Sequence, residues 1–334
     1  MKAIAGTLAA PFPYFGGKSN ACGLVWSLLG QPDNYVEPFA GSAAMILGRP
    51  DGGGVETIND LDGFVANFWR AISKDPSLVA FHADWPVNEA DLLARHSWLV
   101  RQTESLREAL HDPDFYDAKI AGWWCWGACN WIGSGWCSGS GPWVWDGEKI
   151  VDSRKLPHLG DAGRGINRQL PHLGDAGKGI NRQLPHLSAG RGEYIAEWFN
   201  LLYARLRDVR VACGDWKRVC KDSVTTRHGL TGIFLDPPYD KGAMDYGAGG
   251  MGLGISAQVR EWCAANGNNK QLRIVICGHA GEHDDLLKLG WKLHNWTARK
   301  GYALTDEAKE NSSSETVWAS PHCLSATNTQ DALF

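Results

Sequence analysis

The sequence has no Cys-x-x-Cys pair, although it holds nine cysteines, at positions 22, 125, 129, 137, 213, 220, 263, 277 and 323. An odd count without paired spacing excludes a disulfide framework and fits a reducing cytosol. Bulk positive charge is also missing. Lys and Arg number 33 against 37 Asp and Glu, giving a net charge of -4 and a pI near 6.3. That excludes nucleic-acid binding by overall charge but leaves room for a local basic face. No apolar run is long enough for a membrane span. The most apolar window, residues 120–132, is too short and contains Asn130 and glycines. The N-terminal stretch carries one lysine and is broken by prolines, so no signal peptide is read there. These absences predict a cytoplasmic protein with no membrane partner. What is present is a 44% hydrophobic composition, enough for a core, and seventeen tryptophans that cluster around 123–145. A chain of 334 residues holds roughly two domains, or one with a large insert.

Three textures follow one another. Residues 1–75 alternate short apolar runs with glycine-rich turns: strands are predicted at 35–37 and 55–58 and a helix over 61–72. Residues 76–200 break this grammar. Helical segments at 89–101 and 104–110 lead into the Trp/Gly/Cys stretch. An internal repeat follows: LPHLGDAGRGINRQ at 156–169, LPHLGDAGKGINRQ at 170–183, and a degenerate third start at 184. A proline and three glycines per copy favour turns over a long helix or central strand. Residues 201–334 return to α/β texture, with strands predicted at 209–213, 232–235, 273–277, 291–296 and 315–319. A polar tail follows from 326 to 334. The fold class is therefore α/β. One open sheet is built from 1–75 and 201–325, interrupted by an insert at 76–200 that carries the repeats at 156–187.

The sharpest chemical signal is Asp236-Pro237-Pro238-Tyr239, directly after the apolar run 232–235. It sits at the carboxyl end of a strand, the edge where open α/β sheets bind ligands. Two prolines stiffen the backbone and leave carbonyls free. An acceptor carboxylate, an acceptor carbonyl and an aromatic face suit a planar ring bearing an exocyclic amino group. The plain alternative is a turn after a strand.

The surroundings add to it. Glu37-Pro38-Phe39-Ala40-Gly41-Ser42 is a strand end running into a small-residue turn, where a cofactor can approach the backbone. Ala43 stands where many such loops have glycine. A second strand ends in Asn59-Asp60, an acid placed for ribose hydroxyls. Tyr14-Phe15-Gly16-Gly17-Lys18 pairs close-approach glycines with a lysine able to meet a carboxylate. Asp215, in Cys213-Gly214-Asp215, either accepts from an adenine amino group or caps the next helix.

PYFGGK, EPFAGS, Asn-Asp, Gly-Asp and DPPY, in this order, resemble the Dam-type DNA N(6)-adenine methyltransferases. The late segment ETVWASPHC (315–323) is similar to phage-encoded members. The resemblance covers about 1–75 and 205–325. It implies a Rossmann-like methyltransferase sheet with S-adenosylmethionine as cofactor, and host-cell cytoplasm if the gene is phage-borne. It also implies that Asp236, Pro237, Pro238 and Tyr239 are catalytic. Tyr14, Phe15, Gly16, Gly17 and Lys18 would lie near the cofactor's methionine end. The turn at Glu37, Pro38, Phe39, Gly41 and Ser42 would pass beneath it, with Asp60 at the ribose and Asp215 near the adenine.

The implied partner is double-stranded DNA, with no obligatory protein partner. Residues 153–192 hold seven basic residues against two acids, in a chain that is acidic as a whole. Arg164, Arg168, Lys178, Arg182 and Arg191 are the expected DNA contacts, unless the segment is a solvated insert. The glycine-rich stretch 241–255 reads either as a flap over an extruded base or as a surface loop. Cysteine spacings C-x3-C and C-x7-C match no common zinc pattern, so no metal is expected. Competing readings are a methyltransferase acting on RNA, and a catalytically silent DNA-binding module of the same fold.

Overall fold

The computed structural model describes residues 8–14, 18–50, 53–131, 135–137, 143–145, 150–152, 191–238, 254–295 and 315–325. Phe15, Gly16, Gly17, Tyr239, the 14-residue repeats with Arg164, Arg168, Lys178 and Arg182, nearly all of the 241–255 stretch and the 326–334 tail lie outside them. Arg191 is placed only as the first residue of a helix.

Seven strands form the main sheet: β1 (Asn34–Glu37), β2 (Val55–Asp60), β5 (Arg210–Cys213), β6 (Thr231–Leu235), β7 (Leu272–His279), β8 (Lys292–Asn295) and β9 (Glu315–Ala319). A separate antiparallel pair, β3 (Trp143–Trp145) and β4 (Ile150–Asp152), lies in the insert. The spatial order is β5-β2-β1-β6-β7-β9-β8. Pairing is parallel from β5 through to β7, and antiparallel where β9 meets β7 and β8. The chain runs outward from β1 to β2 and later β5, then returns to the other side of β1 as β6. This reversal makes the carboxyl ends of β1 and β6 the topological switch point of a doubly wound sheet.

Alternation along each strand feeds two apolar layers. Tyr35, Phe234, Val275 and Val317 face one layer. Val36, Ile233, Leu235, Ile274, Ile276 and Trp318 face the other. Both faces are buried, so the strands read as continuous apolar runs, as expected for parallel sheets. The helices are α1 (Cys22–Leu29), α2 (Ala44–Leu47), α3 (Gly63–Ile72), α4 (Pro76–Ala83), α5 (Glu89–Ala109), α6 (Ala118–Asn130), α7 (Arg191–Leu206) and α8 (Ile255–Asn266).

Caps fix where these helices start. Asp62 Oδ1 accepts from the Phe64 N–H at 2.8 Å, so α3 begins at Gly63 rather than at Leu61, which is exposed. The two segments expected at 89–101 and 104–110 are one helix of 21 residues. No Gly or Pro intervenes, and Thr103 Oγ1 turns back onto the Val100 carbonyl at 2.8 Å, so nothing ends the ladder. Asp117 caps α6, and Asn67 of α3 exchanges two hydrogen bonds with the Asp117 backbone, at 2.8 and 2.9 Å.

The insert helices share the core of the sheet. Phe12 meets Trp124 of α6 and Phe68 of α3 edge-on, with centroids 4.7 and 5.1 Å apart, and Phe68 meets Phe199 of α7. Glu56 on β2 takes Arg49 at 2.9 Å and Arg205 of α7 at 2.7 and 2.8 Å, which pins the return helix to the sheet. Among the described residues no helix is long and apolar enough to cross a membrane.

Candidate active site

The carboxyl end of β1 is held by its own side chains. Glu37 is buried, and its Oε2 accepts from the Tyr35 hydroxyl at 3.1 Å and the Ile46 N–H at 3.2 Å. Burial pushes this carboxyl up to about 8; the two hydrogen bonds oppose the shift and the Asp236 charge adds to it. The turn beyond has two left-handed residues, Gly41 (φ 45) and Ala43 (φ 55, ψ 28). Ala43 thus occupies a conformation that favours glycine, which is why the sequence departs from the glycine-rich pattern without losing the turn. Gly41 is committed on every side. Its N–H donates to Asp60 Oδ2 at 2.9 Å and its carbonyl accepts from Trp69 Nε1 at 2.9 Å. A Cβ there would sit 2.4 Å from Tyr14 Cδ1, so the Tyr14 ring lies directly against the glycine backbone.

Asp60 works within this turn. Oδ2 takes Gly41 and Oδ1 takes the Asp62 N–H at 2.9 Å. Burial raises the carboxyl, with the backbone donors opposing. Asp62 is pushed up to about 7, by burial first and by the charge of Asp60 second. Asn59, which sequence reading passed over as a site residue, links three strand ends. Its Nδ2 donates to the Pro38 carbonyl after β1 and to the Gly214 carbonyl after β5, both at 2.9 Å, and its Oδ1 is buried without a partner among the described residues. The signal was there in the Asn-Asp pair, because a buried Asn at a strand end must place its amide donors. Asp215 is exposed and its Oδ1 caps the following turn at Lys217 N, 2.8 Å, so the capping alternative is realised. Ser42 is buried in the turn, and the Phe39 ring lies beside Trp216, centroids 6.1 Å apart.

Asp236 follows β6 directly and meets the N-terminal motif. Lys18 Nζ lies 3.2 Å from Asp236 Oδ2, with the lysine side chain 3% exposed and the aspartate 18%. The lysine expected near a cofactor's methionine end therefore holds a protein carboxylate. Pro237 is buried and Pro238 half-buried. The structure thus gathers Tyr14, Lys18, Glu37, Gly41, Asp60 and Asp236 at one edge of the sheet. It is an acceptor-rich edge: carboxylates, strand-end carbonyls and a buried amide oxygen, with one lysine set against Asp236. Such a set suits ligands that bring amino groups, hydroxyls or positive charge.

All nine cysteines are free thiols. Burial pushes Cys22 and Cys220 up to about 12 and Cys213 up to about 11, which keeps them protonated and poorly nucleophilic at neutral pH. Among the described residues no group of three His, Cys, Asp or Glu is arranged to hold a metal ion. No protein-family model matches the sequence, and no curated protein matches it.

Proposed function

We propose that this chain is a site-specific DNA adenine methyltransferase. It would transfer a methyl group from S-adenosylmethionine to the N(6) amino group of an adenine extruded from duplex DNA. The observation that carries the reading is the Lys18–Asp236 pair at the switch point, where the DPP motif and the N-terminal Tyr-x-x-x-Lys motif converge beside the Gly41 turn. The donor set fits the cofactor. S-adenosylmethionine brings an adenine amino group, two ribose hydroxyls, an ammonium and a sulfonium. The edge offers half-buried Asp60, the orphaned Asn59 oxygen and Glu37, an acid that a nearby cation would ionise.

When bound, the cofactor supplies an electrophilic methyl group. The chain's own part is to hold and polarise the acceptor. Asp236 and the Pro237 carbonyl would accept hydrogen bonds from the two N–H groups of the adenine amino group, drawing its lone pair out of conjugation; as the new N–C bond replaces the S–C bond, the proton lost from nitrogen would pass to Asp236 or to water. Lys18 fixes the orientation of the Asp236 carboxylate through Oδ2. The prolines keep that carbonyl in place and contribute no competing donor. Catalysis of this type rests on positioning and on electrostatic support of the charge that grows on nitrogen. Base extrusion costs a few kcal/mol, drawn from binding to DNA.

The test is transfer of labelled methyl from S-adenosylmethionine to unmethylated duplex DNA, with RNA as the competing substrate. Wild type should label adenine N(6) in duplex, and Asp236→Ala should bind DNA but transfer nothing. Labelling of RNA alone would move the reading to the RNA alternative. No transfer by wild type, with DNA still bound, would leave a silent binding module.

A further inference from the structure

Helices α4 to α7 line an open cleft of about 780 Å³, apart from the residues assigned to methyl transfer. That size lies within the range of small-molecule sites, which are mostly apolar with a few placed polar groups. Its walls include Phe81, Trp85, Trp98 and Trp123. Phe81 is 72% exposed and meets the His82 ring edge-on, with centroids 5.2 Å apart.

Arg95 lines the same cavity and is only 6% exposed. Its guanidinium carbon lies 4.7 Å from the Trp85 ring centroid, 4.7 Å from Trp123 and 4.5 Å from Trp126. The charge is thus held against ring faces, with the Asp91 carboxylate on the same helix adding support from a distance. Asp91, four residues before it on α5, accepts instead from Trp85 Nε1 at 2.7 Å. Arg95 Nη1 is buried with no acceptor among the described residues. An unmet guanidinium N–H is costly in a protein interior, and a bound acceptor would relieve it. Ser77, His82, Asp84 and Arg101 are further polar residues of the lining.

We propose that this cavity binds a guanine-type nucleobase, stacked on the indole and phenyl walls, with its adjacent carbonyl and ring-nitrogen acceptors on Arg95. The pairing follows from shape. The planar guanidinium fork matches the O6 and N7 edge of guanine, an edge that adenine does not offer. Flat rings stack on indoles whatever their sequence context, so the walls supply affinity and Arg95 supplies choice. The base can arrive on a free nucleotide or on an unpaired stretch of DNA.

The inference goes beyond methyl transfer, and its test does not read that reaction. Tryptophan fluorescence is titrated with guanosine monophosphate, adenosine monophosphate, and short single-stranded oligonucleotides with and without guanine. Guanosine monophosphate should bind at least about fivefold more tightly than adenosine monophosphate. Phe81→Ala should weaken binding by about 5- to 100-fold through lost stacking. Its melting temperature should match wild type, since the ring is exposed. Arg95→Lys keeps the charge but loses the fork, and should erase the preference for guanine. Tighter binding of the guanine oligonucleotide than of the mononucleotide assigns the site to DNA; the reverse assigns it to a free nucleotide. The proposal is overturned if neither saturates, if adenine binds as well as guanine, or if Phe81→Ala binds unchanged.

Discussion

Asp236→Ala removes more than the proposed acceptor, because it also takes away the carboxylate that faces Lys18. At 3.2 Å, two unit charges attract by about 5 kcal/mol at an effective dielectric of about 20. Breaking a buried pair from one side costs about 3–5 kcal/mol, since the remaining charge keeps its desolvation penalty. Asp236 is 18% exposed, so the lower end of that range applies, about 3 kcal/mol. Unfolding entropy of about 2.1 cal/mol/K per residue over 334 residues makes each kcal/mol worth about 1.4 °C. The single variant should therefore melt about 4 °C below wild type. Adding Lys18→Met to Asp236→Ala removes the buried ammonium that has lost its facing carboxylate, and the double variant should recover part of that loss. Methyl transfer should stay absent in both. The assay is a double-mutant cycle, with melting followed by circular dichroism and transfer followed by labelled cofactor. Additive losses in the cycle would refute the pairing as the source of the effect. Transfer by the double variant would refute the catalytic role of Asp236.

Three further outcomes are expected. Gly41→Ala places a Cβ 2.4 Å from the Tyr14 ring at a left-handed φ, a conformational cost of about 1–2 kcal/mol before the ring moves. Calorimetry should show S-adenosylhomocysteine binding weakened about tenfold or more, and unchanged affinity would remove this turn from the cofactor site. Glu37 has a folded value raised to about 8, so its contribution is fully present below its unfolded value of about 4.5 and is lost as pH rises through 8. Urea midpoints from pH 5 to 9 should fall more steeply for wild type than for Glu37→Gln, and parallel curves would contradict the burial argument. Glu56→Ala leaves Arg49 and Arg205 without their carboxylate and should cost about 3–5 kcal/mol. Hydrogen exchange should rise first in α7, and loss spread evenly over the sheet would show that Glu56 does not anchor that helix.

The positions of the strands were legible because a sheet buried on both faces writes itself as apolar runs. Thr231–Leu235 ends at Asp236, and Asn34–Glu37 ends at the small-residue turn, so the switch-point edge could be placed from residues alone. The insertion of β9 between β7 and β8 could not. Its partners are fixed by backbone pairing across the sheet, and no residue in 315–319 declares a direction. Lys18 was expected to meet a carboxylate, but which one depends on how the N-terminal segment crosses the end of β6. Of the clustered tryptophans, Trp124 packs edge-on against Phe12 and at a tilt against Phe68 in the core shared with the sheet. Trp123 also lies against that core, and both Trp123 and Trp126 flank Arg95, a contact invisible in spacing because Trp85, Arg95 and α6 come from three separate segments.

Charge counting hides the chemistry of the sheet edge for a related reason. The net charge of -4 treats every Asp and Glu as ionised. Burial pushes Glu37 up to about 8 and Asp62 up to about 7, so near neutral pH the first is largely protonated and the second is shared between states. Asp236 lies beside them under a different constraint, held at 3.2 Å by a lysine that is itself buried. One edge therefore carries carboxyls of two kinds. Asp236, faced by a fixed cation, is the acceptor that the proposed reaction would use for an amino group. Glu37, made protonatable by burial, responds to any positive charge brought beside it by releasing a proton. A cationic cofactor arriving there should bind more tightly as pH rises toward 8, while an uncharged thioether product should not follow that trend. The division comes from which acid is near Lys18 and which is sealed under Tyr35 and Ile46, and it is a property of the fold and not of composition.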